Sequence, residues 1–203
     1  MNETVMRAMA KWPGVPAVYG WLALDRRGNW SIKAAAAAGV AARFETITNP
    51  KLVAFIGRNY ARDEAGRWYF QNGPQRVFVT FAYTPLIYRI AGAHPLTLET
   101  HTGARCAALD SAWMDETGNL LFVTEHGPGL LLDRDLARGL EALTYADGHA
   151  LEEERLLALL DKGDDAAGIY FNTGAARLPL ALIKSEDAPQ RFAYVREPQP
   201  PSD

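Results

Sequence analysis

The densest group of side chains able to hold a ligand lies within and just before the stretch Gly66–Phe81. Its members combine carboxamide, guanidinium and indole groups: Asn59, Arg67, Trp68, Gln71 and Gln75. Carboxamides both donate and accept hydrogen bonds, and a guanidinium group pairs well with anions. The group therefore predicts a ligand-binding site for a small polar or anionic molecule, or for a partner protein that pairs with a strand edge.

The same stretch also has a structural interpretation. Asn72-Gly73-Pro74 is typical of a tight turn. The carboxamides of Gln71 and Gln75 could bond to loop backbone, and Arg76 could pair with an acid elsewhere in the chain. Both interpretations stay open at this point.

A second chemical candidate is Glu125-His126-Gly127, followed by Asp133. A carboxylate beside an imidazole can act as an acid/base pair, so a hydrolase-type enzyme that uses Glu125, His126 and Asp133 is an alternative hypothesis. Adjacent residues on a strand point to opposite faces, which favours a solvated turn instead. The sequence contains no nucleophile elbow, phosphate-binding loop or dinucleotide-binding glycine motif. We therefore assign no catalytic residue and expect a non-enzymatic protein.

Histidine and cysteine usage predicts no metal site and no cofactor. The four histidines show no paired ligand spacing, and Cys106 is the single cysteine. One cysteine cannot form an internal disulfide, and a free thiol is typical of the cytoplasm. Glu3 stands where a signal peptide carries positive charge, and the uncharged run 34–42 is too short to span a bilayer. We expect a soluble, cytoplasmic protein that does not associate with a membrane.

The two halves of the chain carry opposite charge. Residues 1–95 contain 12 Lys/Arg against 5 Asp/Glu, and residues 96–203 contain 9 against 19. This asymmetry is compatible with two lobes that attract each other, or with an anionic polymer that binds the basic half. Direct nucleic-acid binding is not favoured, since no nucleic-acid motif is present and the pI is 5.8.

Turn signals and apolar periodicity divide the chain into hairpins and helices. Asp25–Asn29 and Asp115–Asn119 share the pattern Asp-x-x-Gly-Asn between strand-like segments. Asn49-Pro50 predicts a helix start, because a capping side chain precedes proline at the first helical position. Residues 152–160 predict a second helix with acids in its first turn. Residues 192–195 predict a final strand.

An internal similarity relates the two halves. Tyr69–Val77 and Tyr170–Leu178 align without a gap, with four of nine positions identical. At the same offset, a predicted helix at 51–62 falls on residues 152–163. These matches predict a tandem duplication. The predicted fold class is α+β, with two related lobes, each a small, mainly antiparallel sheet packed against one principal helix.

The predicted domains are a basic lobe, residues 1–95, and an acidic lobe, residues 96–203. A ligand would occupy the cleft between the lobes or the Gly66–Phe81 hairpin. Residues that both copies share, such as Arg76 and Arg177, are interpreted as architecture of the repeated hairpin. Residues that only the first copy has are where a specific function would reside: Arg67, Trp68, Pro74 and Gln75.

Three longer phrases of the sequence carry a resemblance to a known family. They are VPAVYGWLALDRRGNW, RNYARDEAGRWYFQNGPQRVFV and DETGNLLFVTEHGPGLLLDRDL. The chain resembles an uncharacterised proteobacterial protein family of unknown function over most of residues 12–140. The resemblance rests on whole phrases rather than on a catalytic motif, and it implies no activity.

Overall fold

A computed structural model describes residues 3–12, 14–34, 43–160 and 166–201. Its fold is mixed α+β, with one six-stranded and one eight-stranded sheet and few helices. Contacts divide the chain into unit 1, residues 1–85 with 193–203, and unit 2, residues 86–192. Most of the alanine-rich run 34–42 lies outside the described residues.

Unit 1 contains the six-stranded sheet. Its elements are α1 (Glu3–Lys11), β1 (Val18–Leu24), β2 (Trp30–Lys33), β3 (Phe44–Thr46), α2 (Pro50–Arg58), β4 (Tyr60–Arg62), β5 (Trp68–Asn72) and β6 (Gln75–Phe81). The strand order is β3-β2-β1-β6-β5-β4. Neighbours in this sheet run antiparallel, except for the parallel pair β1 and β6.

Local signals in unit 1 act as the sequence indicates. The Asn49 side chain accepts hydrogen bonds from the backbone N–H groups of Lys51 (3.0 Å) and Leu52 (3.3 Å), which confirms the predicted start of α2. Ile56 on α2 is buried, and the ring of Phe55 meets that of Phe70 edge-on at 5.5 Å between centroids. The helix therefore covers one face of β5.

Unit 2 contains the eight-stranded sheet. Its elements are β7 (Leu86–Ala93), β8 (Leu96–Thr100), β9 (Leu109–Asp115), β10 (Leu120–Thr124), β11 (Gly127–Leu131), a 3-10 helix (Asp133–Asp135), α3 (Leu136–Glu141), β12 (Leu143–Tyr145), α4 (Glu153–Ala158), β13 (Ile169–Asn172), β14 (Arg177–Ile183) and α5 (Ala188–Arg191). The order is β12-β13-β14-β9-β10-β11-β7-β8. The expected domain boundary after residue 95 falls in the turn that joins β7 to β8.

Six strands of unit 2 repeat the topology of unit 1. The order β11-β10-β9-β14-β13-β12 corresponds to β3-β2-β1-β6-β5-β4, with the same parallel pair at the centre. Register agrees as well, because Leu22 pairs with Val79 and Ala112 pairs with Leu180 at the equivalent positions. In each unit a helix also follows the third of the six shared strands in chain order, α2 between β3 and β4 and α3 between β11 and β12.

This topology corrects two sequence predictions. The alignment of the helix at 51–62 with residues 152–163 is wrong, because α3 occupies the position of α2 and α4 is inserted between β12 and β13. The final strand predicted at 192–195 is also wrong, since α5 ends at Arg191 and no strand follows it among the described residues. The sheets are larger than the small sheets that the sequence predicts.

The length and composition of the helices decide whether any of them could cross a membrane. None of the helices in the described part of the chain is both long enough and apolar enough to cross a membrane.

Candidate ligand-binding groove

A groove in unit 1 lies between the N-terminal segment and the turn that joins β5 to β6. Its volume is about 440 Å³, and we call it the α1 groove. Ligand pockets in proteins commonly enclose about 300–1,000 Å³, so the space suits a small molecule. Seven residues line it: Met9, Trp12, Val15, Ala17, Gln71, Pro74 and Arg76.

The β5–β6 hairpin positions the polar side of the groove. Gln71 pairs directly with Arg76 across the two strands, so both side chains project from the same face of the sheet. The chain reverses at Gly73, whose φ of +59° lies in the left-handed region that glycine tolerates. This turn holds the buried carboxamide and the exposed guanidinium side by side.

Gln71 is the most constrained polar residue of the groove. Its side chain is fully buried, with 0% exposure, and its Nε2 donates to the carbonyl oxygen of Gly73 at 2.9 Å. Its backbone N–H donates to the carbonyl oxygen of Asn59 at 2.9 Å. Its Oε1 is buried and has no hydrogen-bond partner among the described residues. A strong acceptor is therefore held beside the groove without a donor.

Arg76 supplies positive charge at the mouth of the groove. Its guanidinium carbon lies 4.7 Å from the centroid of the Tyr69 ring, a cation–π contact that orients the side chain. Within the part of the chain that the structure describes, Arg76 forms no ion pair. Its N–H groups therefore remain available to an anion.

The apolar side of the groove comes from the N-terminal segment. Met9 lies on α1, and Trp12 follows directly after the helix with 52% of its surface exposed. Val15 and Ala17 continue the wall towards β1. This wall was not predicted from the sequence, because the contact between residues 9–17 and 71–76 is long-range. The signal that the sequence did offer was a tryptophan directly after a short amphipathic segment.

The residues predicted to bind a ligand lie in different surroundings. Gln71 lines the groove, and Gln75 Nε2 donates to the carbonyl oxygen of Pro16 at 3.1 Å, which fixes the apolar wall between Val15 and Ala17. Asn59 and Trp68 are buried, with 1% and 4% exposure. Asn59 Nδ2 donates to the carbonyl oxygen of Phe55 at 3.0 Å, at the end of α2.

Arg67 is engaged in an ion pair with Asp63. The two side chains approach to 2.8 Å, and the Arg67 guanidinium also lies 4.8 Å from the centroid of the Phe78 ring. Partial burial acts to raise the pKa of the Asp63 carboxyl, but the hydrogen bonds from Arg67 outweigh it and hold that pKa below its ordinary value. Arg67 does not line the α1 groove.

Two of the three residues of the hydrolase hypothesis come together, since Glu125 Oε1 and His126 Nε2 lie 3.5 Å apart, but Asp133 does not join them. Glu125 and His126 lie in the turn before β11, whereas Asp133 follows that strand. A five-residue strand rises about 3.3 Å per residue, so its two ends lie more than about 10 Å apart. Asp133 instead accepts a hydrogen bond from the backbone N–H of Arg134 at 2.7 Å.

Glu125 and His126 brace the loop that precedes β9. Glu125 Oε1 accepts from the backbone N–H of Ala107 at 2.6 Å, and His126 Nε2 donates to the carbonyl oxygen of Arg105 at 2.9 Å. Partial burial acts to raise the pKa of the Glu125 carboxyl, but the backbone N–H groups outweigh it and lower that pKa. A carboxylate held this way suits a structural contact better than proton transfer at neutral pH.

Cys106 is half-buried, and burial raises the pKa of its thiol to about 11. The thiol is therefore protonated at neutral pH and is a poor nucleophile. Among the described residues, no cluster of three or more His, Cys, Asp or Glu side chains could hold a metal ion.

Comparison with solved structures shows the fold but assigns no activity. The chain is similar to the crystal structure of a DUF1285 family protein from Silicibacter pomeroyi DSS-3, with a TM-score of 0.52, 16% identity, and coverage of 85% of this chain and 86% of that chain. A DUF1285 family protein from Shewanella baltica OS155 matches with a TM-score of 0.40, 15% identity, and coverage of 58% and 87%. No curated protein matches the chain.

A family model extends over nearly the whole sequence. It is described as "Protein of unknown function (DUF2946)" and matches residues 1–199. The match confirms the resemblance to an uncharacterised family, and no function is assigned by it. The chain belongs to this family of proteins of unknown function.

Proposed function

We propose that this protein is a non-enzymatic binding module whose α1 groove holds a small ligand with three features. The ligand carries a hydrogen-bond donor, an anionic group and an apolar part. Gln71 Oε1 would accept from the donor, and the Arg76 guanidinium would pair with the anion. Met9 and Trp12 would cover the apolar part.

The observation that carries this proposal is the buried Gln71 Oε1 without a partner. A buried acceptor that lacks its hydrogen bond costs about 1–3 kcal/mol, and most such groups in folded proteins are satisfied. A donor supplied by a ligand would remove this cost on binding. The neighbouring Arg76 makes the same position attractive to an anion.

N-acetyl-phenylalanine is a suitable probe, because its amide N–H, carboxylate and phenyl ring supply the three features. We expect saturable binding by isothermal titration calorimetry. Gln71→Met and Arg76→Gln should each weaken that binding about tenfold or more, since each removes one polar partner. Arg177→Gln is the matched control, because Arg177 stacks on Tyr170 in unit 2 as Arg76 stacks on Tyr69.

The proposal fails if Gln71→Met binds the probe as tightly as the wild type, or if Arg76→Gln and Arg177→Gln weaken it equally. It also fails if neither N-acetyl-phenylalanine nor any of a panel of N-acylated amino acids and aromatic carboxylates binds.

We further propose that the two units are related lobes that arose by tandem duplication. The shared strand order and register support this, as does the repeated stacking of Arg76 on Tyr69 and of Arg177 on Tyr170. In this scheme α2 and α3 are the equivalent helices, and α4 is a later insertion. Residues 18–81 and 109–183 are the two copies.

An anionic polymer is a second candidate ligand for unit 1. Its residues carry 12 Lys/Arg against 7 Asp/Glu. Affinity for heparin that falls steeply with salt would favour this candidate, because polymer binding releases counterions. Affinity with little salt dependence would contradict it.

As the location we propose a reducing compartment such as the cytoplasm, in keeping with the single, half-buried thiol.

A further inference from the structure

A second groove lies within unit 2, and nothing in the proposed function uses it. Its volume is about 340 Å³. It is lined by the β7–β8 turn, by α3 and the start of β12, and by the end of β13. The residues that matter to its chemistry are His94, Arg138, Glu141, Thr144 and Asn172. We call it the α3 groove.

The α3 groove has the same position in the topology of unit 2 as the α1 groove has in unit 1. Asn172 is the residue of β13 that corresponds to Gln71 of β5, since each donates its backbone N–H to the residue just after the helix, Ala142 or Asn59. In both units an element outside the six shared strands completes the groove. This element is the N-terminal segment in unit 1 and the β7–β8 hairpin in unit 2. The backbone N–H of Leu96 donates to the carbonyl oxygen of Thr173 at 2.7 Å and anchors that hairpin.

Thr144 lines the α3 groove and has an unsatisfied hydroxyl group among the described residues. The residue is 8% exposed, and its Oγ1 is buried with no hydrogen-bond partner among the described residues. A hydroxyl can donate one hydrogen bond and accept two. Asn172 Oδ1 accepts from the backbone N–H of Gly174 at 2.9 Å, which leaves its amide group to donate elsewhere.

Opposite charges stand at the rim of this groove. Arg138 and Glu141 are three residues apart on α3, on one side of the helix, and both are exposed. In the described part of the chain, neither side chain forms an ion pair or hydrogen bond, with the other or with any further residue. A guanidinium and a carboxylate that do not neutralise each other can each take an oppositely charged group of a ligand.

We infer that the α3 groove is a binding site for a free α-amino acid. Such a molecule presents a carboxylate to Arg138 and an ammonium group to Glu141. The hydroxyl of Thr144 and the amide of Asn172 supply neutral hydrogen bonds, and His94 lines the same groove. This site is chemically distinct from the α1 groove, which requires no cationic group on its ligand, and it does not depend on that groove being occupied.

The test is a thermal-shift and calorimetric screen of the full-length protein with the twenty proteinogenic amino acids. We expect at least one to bind. Its N-acetylated form lacks the ammonium group and its carboxamide form lacks the carboxylate. Each should bind about tenfold more weakly or worse than the free amino acid when measured on the Arg76→Gln variant, in which the α1 groove is weakened. Arg138→Gln and Glu141→Gln should weaken binding of the free amino acid to a similar extent. Both residues are exposed, so the variants should fold.

Arg76→Gln is the control that separates the two grooves. It should leave amino-acid binding unchanged, while Arg138→Gln should leave binding of N-acetyl-phenylalanine unchanged. The inference is overturned if none of the twenty amino acids binds, or if the acetylated or amidated form binds the Arg76→Gln variant as tightly as the free amino acid does. It is also overturned if Arg138→Gln and Glu141→Gln retain wild-type affinity.

Discussion

At the scale of single residues, two buried carboxamides of unit 1 stand in contrasting situations. Asn59 donates to a helix carbonyl and closes the end of α2. Gln71 keeps one acceptor atom without a donor among the described residues. Both were expected to bind a ligand because of their chemical type. Only the structure shows that the Asn59 amide bonds within unit 1, whereas Gln71 Oε1 has no donor among the described residues.

Substitution of these two carboxamides should affect stability differently. Gln71→Met removes one hydrogen bond and one unsatisfied acceptor, so the free energy of unfolding should stay within about 1 kcal/mol of the wild type. Asn59→Leu breaks bonds that are made, so it should cost about 2 kcal/mol. Urea denaturation of the two variants measures the difference. Equal destabilisation would show that Gln71 serves the fold as Asn59 does.

The ion pair of Arg67 and Asp63 should make stability depend on pH. The pKa of Asp63 is lower in the folded protein than in the unfolded chain, so its contribution is present above the ordinary aspartate pKa of about 4. That contribution is lost as the pH falls through the folded value. Arg67→Gln should therefore destabilise the protein at pH 7, and the difference from the wild type should shrink below about pH 4.

Arg62→Gln is the control for this pH dependence, because Arg62 is an exposed neighbour that makes no ion pair with Asp63. Urea denaturation of the variants and the wild type at each pH supplies the comparison. A difference between Arg67→Gln and the wild type that stays constant down to pH 2 would contradict the assignment of the ion pair.

At the scale of elements, the two Asp-x-x-Gly-Asn turns have one geometry but different burial. Asp25 Oδ1 accepts from the backbone N–H groups of Arg27 and Asn29, both at 2.8 Å. Asp115 Oδ1 accepts from Thr117 and Asn119 in the same way. Asp115 is also 2% exposed and bonds the Thr117 hydroxyl, whereas Asp25 is only partly buried.

Because Asp115 is more buried than Asp25, it should contribute more to the stability of the protein. Asp115→Ala leaves several hydrogen-bond donors of a buried turn without their acceptor. We therefore expect a loss of about 3 kcal/mol in the free energy of unfolding. Asp25→Ala leaves donors that water can reach, and about 1 kcal/mol is expected. Chemical denaturation of the two variants gives the comparison. A larger loss for Asp25→Ala would contradict the role of burial.

Local elements were predictable because their signals are local. The Asp-x-x-Gly-Asn turns and the Asn49-Pro50 helix start depend on residues within a few positions of one another. The parallel pairing of β1 with β6 was not predictable, because it joins segments more than 50 residues apart and no turn fixes its register. Long-range placement also explains why the apolar wall of the α1 groove was missed. It likewise explains why α2 was aligned with residues 152–163 in the predicted repeat.

At the scale of the whole molecule, the C-terminal segment returns to unit 1. The backbone N–H of Val195 donates to the carbonyl oxygen of Gly66 at 3.0 Å, and Tyr194 Oη donates to the carbonyl oxygen of Tyr83 at 3.0 Å. Gly66 has a φ of +75°, and a Cβ there would collide with the carbonyl oxygen of Ala193. Residues 193–195 therefore help to complete unit 1.

Gly66→Ala should accordingly cost more than about 2 kcal/mol, because it adds both an unfavourable φ and a backbone collision. Gly20→Ala is the matched control, since Gly20 has a φ of +68° but a Cβ added there would meet no atom within 4 Å. It should show the cost of the φ alone, about 1–2 kcal/mol. Equal losses in thermal or chemical denaturation would contradict the close packing of residues 193–195 on Gly66.

The proposed role of the molecule depends on whether Gln71 meets a ligand in the α1 groove. The most direct measurement follows the side-chain amide resonances of Gln71 by ¹⁵N–¹H NMR during a titration with N-acetyl-phenylalanine, with Gln71→Met to assign the peaks. We expect the Gln71 amide and Arg76 Nε–H resonances to shift together and to saturate with one dissociation constant. Unchanged Gln71 and Arg76 resonances at saturating probe would contradict the proposed binding role.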